Sequence, residues 1–213
     1  MFSDQQYQTI IHEIKNCVCL ISSSLQLIEK QHPEVIDFRY WNTTMSDISN
    51  LTNLFLELSA YRTPEDVTRK AEDLNKFFQN IINNSTTLFP ENIRCIFDIE
   101  SDLPEIKIDS LRLYHAILNL LKNGAEAMDM SGEISLLAFI QDDFLVIQVH
   151  DTGCGISEDN LEKIFTPMYT SKSNGTGLGL SITKNVIEAH NGTLKCSSIL
   201  GEGTTFTILI PIT

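Results

Sequence analysis

Apolar residues fall at Ile11, Ile14, Val18, Ile21, Leu25 and Ile28, so the intervals alternate between three and four residues. That spacing is a heptad seam, narrower than the face of an ordinary amphipathic helix. The helix it predicts covers 4–31 and ends at Gln31-His32-Pro33-Glu34, where proline cannot continue it. A second helical run carries Trp41, Met45, Ile48, Leu51, Phe55 and Leu58 on one side. Joined by so short a turn, the two helices make an antiparallel hairpin. Nothing within the segment can cover its apolar stripe. Two copies packed as a four-helix bundle can, so a homodimer is expected.

Proline and charge interrupt the helical pattern at Arg62-Thr63-Pro64-Glu65-Asp66, which reads as a linker over 63–72. Beyond it the character changes to mixed α/β. Helical patterns fit 73–87 and 109–129, and strand patterns fit 93–99, 133–140, 143–150, 193–198 and 204–211. The run 133–150 reads as a hairpin turning at Gln141-Asp142-Asp143. The expected class is α+β: a helical hairpin over 1–62, then an α/β two-layer sandwich over 73–213.

Composition narrows the partners. A net charge of -13 repels phosphate, which argues against nucleic acid and anionic membrane surfaces. No apolar run reaches the roughly 18 residues of a membrane span. Met1-Phe2-Ser3-Asp4 lacks the charge and apolar core of a signal peptide. Cys17, Cys19, Cys95, Cys154 and Cys196 are odd in number and contain no CxxC, so reduced thiols and a cytoplasmic location are expected. Cys17 and Cys19 point to different sides of a helix and do not read as a metal pair.

Neither GxxxxGK[ST] nor GxGxxG occurs, which excludes the P-loop and Rossmann fingerprints. Glycines nevertheless cluster in the second half. Asp151-Thr-Gly153-Cys-Gly155-Ile156 follows an apolar strand, and its glycines would let backbone approach a flat ligand such as adenine while the carboxylate accepts from an exocyclic amine. Gly175-Thr-Gly177-Leu178-Gly179-Leu-Ser-Ile182 opens a helix running to about His190, whose N-terminal amides suit phosphate. Gly201-Glu-Gly203-Thr204-Thr205-Phe206 enters the last strand. Asn119-Leu-Leu-Lys-Asn123 puts two amide oxygens on one helix face, suited to a magnesium ion shared with phosphates. Each string alone also reads as a turn, a loop or a solvated face. All four in this order, within about 90 residues, are hard to explain that way.

Together they resemble the nucleotide-binding domain shared by histidine kinases, DNA gyrase, MutL and the ninety-kilodalton heat-shock chaperone. Asn119 to Met128 is similar to the asparagine box of histidine kinases, with Gly124 where the family usually has alanine. Asp151 to Ile156 and Gly175 to Ile182 resemble the two glycine boxes. Phe165-Thr-Pro167-Met-Tyr169-Thr-Ser-Lys172 resembles the phenylalanine box and lid. A glycine inside a helix costs roughly 1 kcal/mol, so Gly124 is expected to weaken its helix locally.

His12-Glu13-Ile14-Lys15-Asn16 resembles the phosphoacceptor box, with Cys17 where a proline usually follows; without it the helix should stay straighter. His12 adjoins the seam position Ile11 and should be partly exposed. The resemblance implies an ATP-dependent protein histidine kinase. Asp151 and Thr204 would read adenine beside Gly153 and Gly155. Asn119 and Asn123 would hold Mg2+. Gly175, Gly177, Leu178 and Gly179 would cradle phosphates, with Lys172 as a lid contact. His12 would take the γ-phosphoryl group, with Glu13 accepting a hydrogen bond from its other ring nitrogen, and pass it to an aspartate of a response regulator. Asn16 resembles the amide of kinases that also dephosphorylate their regulator. Only 11 residues precede His12, so a separate protein or a longer chain would supply the sensor. A phosphotransfer adaptor that no longer uses ATP, and an ATPase or serine kinase on the same nucleotide fold, are the rival readings.

Overall fold

The computed structural model describes residues 4–45, 47–48, 51, 67–85, 89, 92–129, 131–172 and 175–212. The chain divides into two compact units, Met1–Arg62 and Thr63–Thr213.

In the first unit, helix α1 spans Asp4–Gln31 and a 3-10 turn follows at Pro33–Asp37. Residues 41–45, 47–48 and 51 are again helical. The Trp41 indole donates to Glu29 at 3.2 Å and ties this second stretch back to α1. Only Val18 of the described seam residues is buried, at 5% exposure, whereas Ile14, Ile21 and Ile28 stand at 40%, 49% and 41%. These three lie seven residues apart, so a single chain leaves one continuous apolar stripe uncovered. Phe55, Leu58 and the stretch 62–66 lie outside the described residues, as do the side chains of Ile11, His12, Glu13 and Lys15. Among the described residues no helix is long and apolar enough to cross a membrane.

The second unit runs β1 (Lys70–Asp73), α2 (Leu74–Ser85), β2 (Ile93–Ile99), β3 (Glu105–Ile108), α3 (Ser110–Ala127), β4 (Gly132–Gln141), β5 (Phe144–Asp151), α4 (Gly179–Ala189), β6 (Thr193–Ile199) and β7 (Gly203–Pro211). Two single helical turns, Glu158–Leu161 and Lys163–Phe165, precede α4. Strands order β2-β4-β5-β7-β6 in one sheet, parallel between β2 and β4 and antiparallel elsewhere. Strand periodicity sends Ile134, Leu136, Leu145, Ile147, Phe206 and Ile208 to one face, where they meet Phe78, Leu113, Ile117, Leu120 and Ile187 of the helices. This single apolar layer between sheet and helices is the core.

The strands and helices expected from the pattern in this unit all appear, with ends shifted by no more than two residues. The ribbon pairing β1 with β3 does not follow from the pattern, and it begins inside the stretch read as linker. Its first strand reads Lys-Ala-Glu-Asp, too short and too charged to show an apolar alternation.

Helix α3 starts at Asp109, whose carboxylate accepts the Arg112 amide. The Asp109 amide in turn donates to Nε2 of His190 at 2.9 Å, and His190 Nδ1 donates to the Val186 carbonyl at 2.7 Å. Burial pushes the His190 pKa below 6.5, helped by the Arg69 and Arg112 guanidiniums and opposed by the Val186 carbonyl and Asp109. A histidine held neutral in the fold must take up a proton more readily once unfolded. This contribution to stability is therefore complete above the unfolded pKa of about 6.5 and is lost as pH falls below it. His190→Ala leaves a half-buried amide and a buried carbonyl without these partners, so it should cost about 2 kcal/mol in urea unfolding at pH 7.5. The variant should also lose part of the decline in stability that wild type shows between about pH 6.5 and pH 5.

Candidate functional site

Asp151 ends β5 directly across from Thr204 on β7. It is 3% exposed, and its Oδ1 accepts the Gly153 amide at 2.9 Å. Burial raises its pKa above 3.8, against the opposing pull of the Gly153 amide, His150, the Thr204 amide and Lys172. A carboxylate kept this dry, with one oxygen held by a backbone amide, is an acceptor prepared for a donor from outside the protein. Thr204 is also buried, with its hydroxyl 3.0 Å from that of Ser198.

The glycines after Asp151 also meet a packing requirement inside the protein. A Cβ on Gly153 would lie 2.7 Å from the Ala127 carbonyl oxygen, and one on Gly155 (φ +68) would lie 2.1 Å from that of Ile199. They let backbone approach backbone within the protein, a packing requirement that the sequence did not show. Gly124 has a packing role of the same kind. A Cβ there would sit 2.8 Å from Ile134 Cδ1 and 3.0 Å from Asp151 Cβ. The glycine lets α3 lie close against Asp151, a packing role that the helix-propensity cost had hidden.

Asn119 and Asn123 follow one another on α3 one turn apart. Asn119 Nδ2 donates to the Thr183 hydroxyl of α4 at 3.0 Å. The Lys172 ammonium donates to Asn123 Oδ1 at 3.3 Å and pairs with Glu126. An internal cation thus rests on one amide oxygen and one carboxylate, the donor chemistry that also suits a hard divalent ion. Glu126 was not singled out from the sequence. Its position three residues after Asn123, on the same helix face, was the available signal.

Helix α4 begins at Gly179 with Leu178 as its N-cap, and no side chain caps that end. Its first-turn amides and positive dipole end are therefore available to an anion. Gly177 has φ +68 and packs against Met168, and the Gly175 amide donates to the Lys172 carbonyl at 3.3 Å. These contacts link the second glycine string to the segment bearing Lys172.

On α3, Asn119 and Asn123 thus meet Thr183, Gly179 and Lys172, while Gly124 and Ala127 of the same helix meet Asp151 and Gly153. His12, Glu13 and Asn16 belong to the first unit. The backbone of all three is helical, Asn16 is exposed, and the side chains of His12 and Glu13 lie outside the described residues.

Residues 108–213 match the family of histidine kinase-, DNA gyrase B-, and HSP90-like ATPases. Over 95% of its length the chain is 33% identical to the sensor histidine kinase ZraS of Escherichia coli O157:H7 and covers 45% of that protein. It is 32% identical to sporulation kinase C of Bacillus subtilis, again over 95% of its own length and covering 47% of the relative. The chain therefore spans less than half the length of these curated relatives. In three dimensions it resembles the histidine kinase ThkA, solved in complex with the response regulator protein TrrA, with a TM-score of 0.69 at 24% identity, covering 99% of this chain and 62% of that one.

Proposed function

Through residues 108–213 the chain belongs to the histidine kinase-, DNA gyrase B-, and HSP90-like ATPases and, along nearly all of its length, is homologous to sensor histidine kinases; from that premise we propose that it is an ATP-dependent kinase that phosphorylates its own His12 and passes the group to a response regulator. One observation carries this reading. Helix α3 borders the dry carboxylate of Asp151 through Gly124 and the uncapped end of α4 through Asn119. A buried acceptor for a base and an uncapped helix end for phosphates, both bordering one helix, suit a nucleotide.

In this reading Asp151, helped by Thr204 and beside Gly153 and Gly155, accepts from the adenine amine. Gly175, Gly177, Leu178 and Gly179 present amides to the phosphates, and Lys172 moves from Glu126 and Asn123 to the γ end. Asn119 and Asn123 would hold Mg2+, whose charge offsets that of the phosphates during transfer. One imidazole nitrogen of His12 attacks in line, while Glu13 accepts a hydrogen bond from the other and stabilises the developing positive charge. The product is phosphohistidine, whose phosphoryl group a receiver-domain aspartate then removes. Asn16, exposed one turn beyond His12, would orient a water toward the regulator's phosphoaspartate, which hydrolyses to aspartate and inorganic phosphate. The TrrA complex of ThkA supports a response regulator as partner kind; the hairpin would be its docking surface.

The deciding experiment incubates the chain with γ-labelled ATP and divides the product between acid and alkali. Label lost in acid and kept in alkali supports phosphohistidine. Acid-stable label would point to a hydroxyl acceptor and sink the assignment.

The uncovered stripe of Ile14, Ile21 and Ile28 supports a homodimer through the hairpin. Light scattering should then give twice the 24.0 kDa chain mass, and Ile21→Asp should move it toward monomer. A wild-type monomer at micromolar concentration would remove the bundle from this account.

A further inference from the structure

Buried polar groups in an apolar helix face call for a partner, and α4 has two within its first turns, Ser181 and Thr183. Ser181 turns its hydroxyl back to the Leu178 carbonyl at 2.8 Å. Thr183, 1% exposed, reaches across to Asn119 Nδ2 at 3.0 Å. Thr183 lies one helical turn after Gly179, so both face α3. At Gly179 the missing side chain matters: a Cβ there would come within 2.5 Å of Asn119 Oδ1. The Asn119 amide therefore lies over Gly179, its nitrogen held by Thr183 and its oxygen at the first turn of α4.

We infer that Thr183 is a positioning residue for magnesium-dependent nucleotide binding: its hydroxyl, accepting from Asn119 Nδ2, holds the amide with its oxygen toward the first turn of α4. This rests on the nucleotide reading above. A carboxamide is symmetric in shape and opposite in chemistry at its two ends. Its oxygen can ligate a hard cation, and its nitrogen presents only donors, which a cation repels. With the nitrogen engaged by Thr183, only the oxygen is left to turn toward the phosphate-binding end of α4. Partners that orient a metal ligand in this way typically contribute about 10–100-fold in metal affinity.

The test uses the whole chain and the non-hydrolysable analogue AMPPNP, titrated with and without Mg2+. Thr183→Val keeps the shape and removes the acceptor. It should raise the Mg2+ concentration needed for half-maximal tightening about tenfold, leaving affinity in EDTA and the melting temperature close to wild type. Thr183→Ser restores the acceptor and should track wild type. In an Asn119→Asp background either oxygen can face the cation, so the valine change should cost less than about twofold there. An unchanged Mg2+ dependence in Thr183→Val overturns the inference, as does a full tenfold loss that persists in the Asn119→Asp background. Wild-type protein that binds no AMPPNP at all would overturn the nucleotide reading and this inference together.

Discussion

Replacing His12 with alanine is expected to abolish incorporation of label from γ-labelled ATP while leaving AMPPNP affinity unchanged. In the proposed reaction the imidazole is the only nucleophile, and positioning cannot substitute for a missing bond-forming atom. Nucleotide affinity should survive because Asp151, Asn119 and the α4 terminus all belong to Thr63–Thr213, whereas His12 belongs to Met1–Arg62. Both quantities are measured on the same preparation, with circular dichroism to establish that the helices persist. Label retained by the variant would assign the acceptor to another side chain.

Asp151→Asn should have the opposite profile, with affinity for AMPPNP reduced at least about tenfold, or 1.4 kcal/mol. An amide keeps one acceptor but loses the charge that strengthens a buried hydrogen bond. The unliganded variant should melt no lower than wild type, since burial holds the Asp151 pKa above 3.8 and its ionised form is therefore disfavoured in the folded state. The sign for binding follows directly. The carboxylate that reads adenine is protonated as pH falls through this raised pKa, so wild-type affinity should decline at a higher pH than an ordinary carboxylate would give. That pH dependence should be absent from the variant. An affinity loss smaller than tenfold would remove Asp151 from the adenine-reading role.

Much of the second unit was legible because its signals are local. Period-two alternation marked β4, β5 and β7, and the glycine strings marked the end of β5 and the start of α4. Pairing was not legible in the same way. The parallel β2–β4 contact and the insertion of β7 between β5 and β6 join segments distant in sequence. The β1–β3 ribbon is held by backbone pairing that its charged residues do not advertise. Glu126 and Thr183 escaped notice because each acquires meaning only from its partner, Lys172 and Asn119 respectively, 46 and 64 positions away.

Residue order by itself determined the heptad seam, the helix stop at Pro33, the elements of the α/β unit other than the β1–β3 ribbon, and the ordered strings that resemble a nucleotide site, all of which depend on periodicity or chemistry within a few neighbours. Tertiary structure alone decided what each glycine and polar side chain meets. Gly124 was a weak helix residue until Asp151 was found beside the space its side chain would fill. Gly153 and Gly155 read only as flexible backbone until the Ala127 and Ile199 carbonyls were found where their side chains would be. Close packing makes the difference: a contact of about 2–3 Å is set by how distant segments are brought together, and no local pattern along the chain encodes it.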